Sequence, residues 1–208
     1  MSPTFIKEDH TDDFIPSAKS IFRGRAFLER GIRNNPADWS LLANLGFLLS
    51  DTFKFPAFRD PDKTFAEAAA AYGKSAATGH ALPYVVRMEF YSLARVTGKE
   101  SEALALGQRL YAERKNRTPT LLVLLLVLET HENPTLNTTQ RATELFETPQ
   151  KAYEALCAHW LRGNDRFPVY GVAATLESLE KLLAVPPEKS IFGKPLPPPA
   201  DPDNLLSQ

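Results

Sequence analysis

Apolar residues along this chain recur at steps of three and four, and almost no stretch alternates with the two-residue period of a strand. The punctuation agrees with helices. Thr118-Pro119, Thr148-Pro149 and Asp60-Pro61 each set a capping oxygen before a proline at the first helical position. Gly79, Gly98 and Gly163 stand where a helix should stop. The pattern predicts an all-α chain of about eight helices in antiparallel pairs. The most apolar run, LLVLLLVL at 121–128, ends at Glu129. A bilayer span needs about 20 such residues, so the run predicts a buried helix, a strand being the less favoured reading, and no membrane insertion.

Two stretches break the pattern. DTFKFPAFRDPDKTF, at 51–65, carries Phe53, Phe55, Phe58 and Phe65 together with Pro56 and Pro61. From Pro186 to Pro202, seven of seventeen residues are proline, which excludes a helix or a central strand and predicts an extended, disordered tail. The PLPP within it fits a PxxP pattern, with a plain linker as the simpler reading. The expected organisation is a flexible segment over 1–16, a helical domain over 17–185 interrupted at about 51–62, and a Pro-rich tail over 186–208. The N-terminal segment lacks the apolar core of a signal peptide, and a cytoplasmic location is the expectation.

The helix pairs carry a repeat. Gly24, Leu28, Gly31 and Pro36 place small, large, small and proline at fixed steps, followed by a helix with Leu42, Leu45, Gly46 and Leu49 on one face. Ala68, Tyr72 and Ser75 follow the same steps, with His80 in place of the proline, and a further copy begins at Ala103. Over about residues 17–115 the chain resembles a tetratricopeptide repeat protein, built from helix–turn–helix units of 34 residues. Ala68 to Ala103 is 35 residues, but Gly24 to Ala68 is 44. The excess makes the phenylalanine-rich stretch an insertion, expected in the turn joining the two helices of one repeat. Tyr91 stands where the family prefers Gly or Ala, and Gly107 with Leu110 reverses the expected large and small residues. Beyond Pro119 the register is lost, so that half is read as divergent repeats or a helical cap.

The resemblance implies an α-α superhelix whose groove binds a protein or peptide. Carried across, the groove positions are Ser40, Ala43, Phe47 and Asp51, then Val85, Met88, Ser92 and Arg95. Phe47 and Met88 would suit an amphipathic helix or hydrophobic peptide better than a carboxylate clamp. The expected partner-binding residues are therefore Phe47, Asp51, Met88 and Arg95, with Phe53, Phe55 and Phe58 either burying themselves or forming an arm at the rim.

Charge and chemistry narrow the function further. A formal net charge of −1 argues against nucleic acid as a partner. RGRAFLERGIR is locally basic, but Glu29 interrupts it and Ala26, Phe27, Leu28 and Ile32 have core spacing, so it is read as the solvated face of a packed helix. GKS at 73–75 lacks the preceding glycine of a phosphate loop, Ala68 standing in its place inside a helix. His10, His80, His131 and His159 are scattered. Cys157 lies two positions from His159, on a different helix face. No metal, cofactor or catalytic set is predicted, and the expected function is a non-catalytic scaffold or adaptor. The alternative is a regulatory or enzymatic domain with a small-molecule pocket between the helical halves, near Trp39, Trp160 or Tyr170. A third reading is self-association through an exposed end of the array.

Overall fold

A computed structural model describes residues 18–52, 60–161 and 169–193. Among them are nine α-helices and no strand, one helix more than the pattern suggested. In chain order these are α1 (Ala18–Asn34), α2 (Trp39–Thr52), α3 (Pro61–Ala77), α4 (Pro83–Leu93), α5 (Glu100–Ala112), α6 (Pro119–Glu132), α7 (Thr138–Phe146), α8 (Pro149–Leu161) and α9 (Val169–Leu182). Short 3-10 turns follow at Arg114–Asn116, Pro187–Lys189 and Ile191–Gly193.

The predicted caps are in place. Asp60 accepts the Lys63 amide at 3.0 Å, Thr118 that of Leu121 at 3.3 Å, and Thr148 that of Lys151 at 3.2 Å. Each satisfies a backbone donor that the first helical turn leaves open. Gly79 and Gly98 take φ of +75° and +78°, the left-handed turn that favours glycine after a helix. Gly163 lies outside the described residues.

Each helix packs on the next, and the second half adds contacts that a simple row of hairpins would lack. There α6 touches α4, α5, α7, α8 and α9. Leu121 and every residue from Val123 to Glu129 are buried, so the middle of α6 has no solvent face. The run can end in a carboxylate because Arg141 of α7 meets Glu129 with two hydrogen bonds, at 2.6 and 2.9 Å. Arg141 also holds Glu144 at 2.9 Å, and its guanidinium stands 5.6 Å from the Tyr111 ring. Half of a buried pair left alone is strongly destabilising, so the two-toothed geometry is what makes Glu129 tolerable there.

The buried residues form two clusters. The larger runs from Ala69 and Phe90 through α5 and α6 to Leu176, Leu179 and Ile191. The smaller holds Ala43, Leu49, Ala68, Tyr72 and Val85 between α2, α3 and α4. Glycines let the helices approach. A Cβ built on Gly46 would stand 2.7 Å from the Tyr72 ring, and one on Gly107 would stand 2.7 Å from Phe90. Gly107 is thus the slot for Phe90, which explains its departure from the repeat pattern. Tyr91, the other departure, shares a 2.7 Å hydrogen bond with Thr118 and so ties α4 to the cap of α6.

The stretch at 51–62 takes in the end of α2, the connection and the start of α3, while Asp38 caps α2 through the Ser40 and Leu41 amides. It therefore joins two helices that pack directly on one another, Gly46 of α2 receiving Tyr72 of α3. One expectation about boundaries is corrected. Residues 187–193, expected in the tail, instead fold back onto the helices. Ile191 is only 2% exposed in the larger cluster. The Glu180 carboxylate accepts hydrogen bonds from Tyr153, Ser190 and the Ile191 amide, each at 2.8 Å. Prolines 186 and 187 shape a short turn that brings Ile191 back onto α9.

Candidate functional site

Small residues on α1 set the geometry of the first three helices. Gly24 faces Leu48 and Gly31 faces Leu41, with built Cβ distances of 3.6 and 3.1 Å, so α1 lies close along one side of α2. Gly46 admits Tyr72 on another side, where Tyr72 also meets Ser50 at 3.3 Å. Ser75 donates to the Trp39 carbonyl at 2.7 Å and fixes the far end of α3. Because α2 is the shared partner, α1 and α3 leave a groove of about 530 Å³ between them.

The floor of this groove is Leu42, Leu45 and Leu49 of α2. Ile32 and Arg33 stand on the α1 wall, and Ala70, Ala71 and Lys74 on the α3 wall. Arg25 crosses the opening, holding Glu29 at 2.7 Å and Glu67 of α3 at 2.9 Å. The hydrogen bond to Glu29 raises the Arg25 pKa, burial opposes it, and Glu67 adds to the rise, so this cation is fixed. Both pairs are about a third exposed, and they orient the rim more than they stabilise the fold. An apolar floor under a mixed-charge rim can bury one face of a peptide while its polar face meets water and the rim.

The residues expected to bind a partner are distributed differently. Phe47 and Met88 both pack against the smaller core cluster, as does Leu45. The Phe47 ring meets Tyr72 edge-on at 5.3 Å and stacks on Tyr84 at 5.9 Å. Asp51 lies in the last turn of α2. Arg95, just past α4, donates to the Tyr91 carbonyl at 2.7 Å and lies over the Phe65 ring at 5.3 Å. Ala43, Val85 and Ser92, placed in the groove by the resemblance, are buried and do not line the groove between α1 and α3. Phe53, Phe55 and Phe58 lie outside the described residues. Tyr84, which covers Phe47, had no signal in the sequence beyond following Pro83. Leu42, Leu45 and Leu49 were legible as one apolar face, though nothing distinguished a groove floor from ordinary core.

Trp39 belongs to the small cluster, whereas Trp160 and Tyr170 lie on α8 and α9 of the other half. Among the described residues no group of three His, Cys, Asp or Glu side chains could hold a metal ion. No described helix is long and apolar enough to cross a membrane. Burial raises the pKa of Glu89 on α4, Arg109 opposes the rise and Glu102 adds to it. No protein-family model, curated protein or solved structure matches this chain.

Proposed function

We propose that this chain is a non-catalytic scaffold that binds a protein or peptide in the groove between α1 and α3. The observation that carries the reading is the leucine floor on α2, walled by Ile32 and Ala70 and rimmed by Arg25, Glu67 and Lys74. The occupant is a short amphipathic segment, its apolar side on Leu45 and its charged side toward the rim. This moves the binding surface from the Phe47 and Met88 face, where the rings are occupied with one another, to the opposite side of α2.

The test pans the full chain against a display library of random peptides, then measures the affinity of each retained sequence. Binding is expected to weaken at least tenfold with Ala70→Glu, which adds a charge at an exposed wall position without disturbing the core. Leu45→Glu should abolish it, and Phe47→Ala should leave it within twofold. If no peptide is retained, or if retained peptides ignore both groove substitutions, the groove assignment fails.

A further inference from the structure

The outer face of α1 departs from the expected packed helix. Ala26 and Phe27, which have core spacing, point away from the protein, Phe27 being 64% exposed. Arg23, Arg30 and Arg33 share that face and line a shallow depression with Phe27, and Arg30 lies 5.8 Å from its ring. No carboxylate pairs with these three arginines among the described residues, whereas Arg25, on the inner side, holds two. The helix carries five basic residues against Glu29 alone, in a chain whose net charge is −1. An end helix of a stacked array normally turns a polar face outward, and this one presents an aromatic ring among cations.

The complementary charge lies immediately upstream. Residues 1–17 contain Glu8, Asp9, Asp12 and Asp13 against Lys7, with Phe14 and Ile15 beside the acidic run. From Glu8 to Asp13 an extended chain spans about 17 Å. From Arg23 to Arg33 the helix rises about 15 Å. Four residues, Phe14 to Ser17, separate Asp13 from the start of α1, enough to reverse the chain and lay the run antiparallel to the helix. We propose that the acidic segment Glu8–Asp13 docks on the outer face of α1, pairing with Arg23, Arg30 and Arg33 and covering Phe27.

Two other occupants are disfavoured by the same observations. A second copy meeting this face with its own α1 would set cations against cations. An anionic membrane surface would have to compete with carboxylates tethered a few residues away, whose effective concentration is on the order of millimolar. Arg33 also stands on the groove wall, so the docked segment runs along the groove rim. That last consequence rests on the proposed function, but the docking does not, and the experiment below is blind to what the groove holds.

The experiment uses the full chain with Cys157→Ser and Thr11→Cys, a nitroxide on the new thiol, and uniform nitrogen-15 labelling. Docking predicts selective broadening of the α1 amides around Phe27 and Arg30, reversed when the nitroxide is reduced. Arg23→Glu, Arg30→Glu and Arg33→Glu together should cut the broadening at least fivefold. Adding Glu8→Lys, Asp9→Lys, Asp12→Lys and Asp13→Lys to that variant should restore it, a rescue that simple misfolding cannot mimic. Absence of broadening at α1 in the parent overturns the proposal, as does broadening that survives the triple reversal. Equal broadening in a mixture of nitroxide-bearing unlabelled chain and nitrogen-15 chain without nitroxide also overturns it, by making the occupant a second copy.

Discussion

In the first half of the molecule α2 is wedged between α1 on one side and α3 and α4 on another, leaving a groove and a small core whose described buried residues number five. In the second half α6 is enclosed by α4, α5, α7, α8 and α9, and its buried residues anchor the larger cluster. The same helix pairing thus gives two results. Where the central helix is amphipathic, neighbours cover part of it and a surface remains. Where it is apolar all round, as from Val123 to Leu128, neighbours must close over every face. Surface suited to recognition and the bulk of the stability are therefore separated along the chain.

The strongest way to break this comparison is at the enclosed helix. Leu126→Ala removes a fully buried side chain from α6 and should cost about 3 kcal/mol, within the range for such cavities. Urea unfolding would show it as a lower midpoint, with hydrogen exchange quickened throughout the chain because the larger core is the global support. A midpoint shift under about 1 kcal/mol would mean that α6 is less central than its burial indicates.

Gly46→Ala probes the small core. The added methyl meets the Tyr72 ring, which is fully buried and bonded to Ser50, so overpacking should outweigh the better helix propensity. A net loss of about 1–2 kcal/mol is expected. Hydrogen exchange should quicken in α1, α2 and α3 before it changes in α6. Combining it with Tyr72→Leu should cost less than the sum of the single changes, because the smaller side chain vacates the contested space. Strict additivity would sink the steric account.

The smallest effect concerns the Ile191 turn. Burial pushes the Glu180 carboxyl up, but hydrogen bonds from the Ile191 amide, Ser190 and Tyr153 outweigh it and hold the pKa below the ordinary range. A carboxyl lowered in the folded state contributes stability above its unfolded value and loses it as pH falls through the folded one. Docking of residues 187–193 should therefore persist at neutral pH and weaken as the pH falls below the ordinary glutamate range. Exchange of the Ile191 amide would report it, and Glu180→Gln should flatten the dependence. An amide equally protected at pH 7 and pH 3 in the parent would detach the turn from Glu180.

Local features were legible because they depend on neighbours in sequence. The capping oxygens of Asp60, Thr118 and Thr148, the stops at Gly79 and Gly98, and the buried run of α6 all belong to that class. What escaped needed distant partners. The approach of α9 to α6 joins segments nearly 40 residues apart, and no periodicity announces it. The turn at Ile191 is masked by proline content, since its stability comes from Glu180 and Tyr153. The outer face of α1 was misread because Phe27 has core spacing, while its orientation is decided by Gly24 and Gly31, which bring the other side of the helix against α2. On α2, Tyr84 covers Phe47 while Leu45 lies in the floor of the groove, a difference set by helices distant in sequence.

The enclosure of α6 also has a consequence for how the chain emerges from the ribosome. Its leucines leave the exit tunnel well before α9 and Ile191, the last pieces of their cover, have been made. Glu132 and Gly193 are 61 residues apart. At 5–20 residues per second that interval lasts roughly 3–12 seconds, while α1 to α4 already have their packing partners. The nascent chain thus carries a folded leading half and, behind it, a leucine helix with only α4 and α5 as cover, the interval in which a chaperone has most to hold.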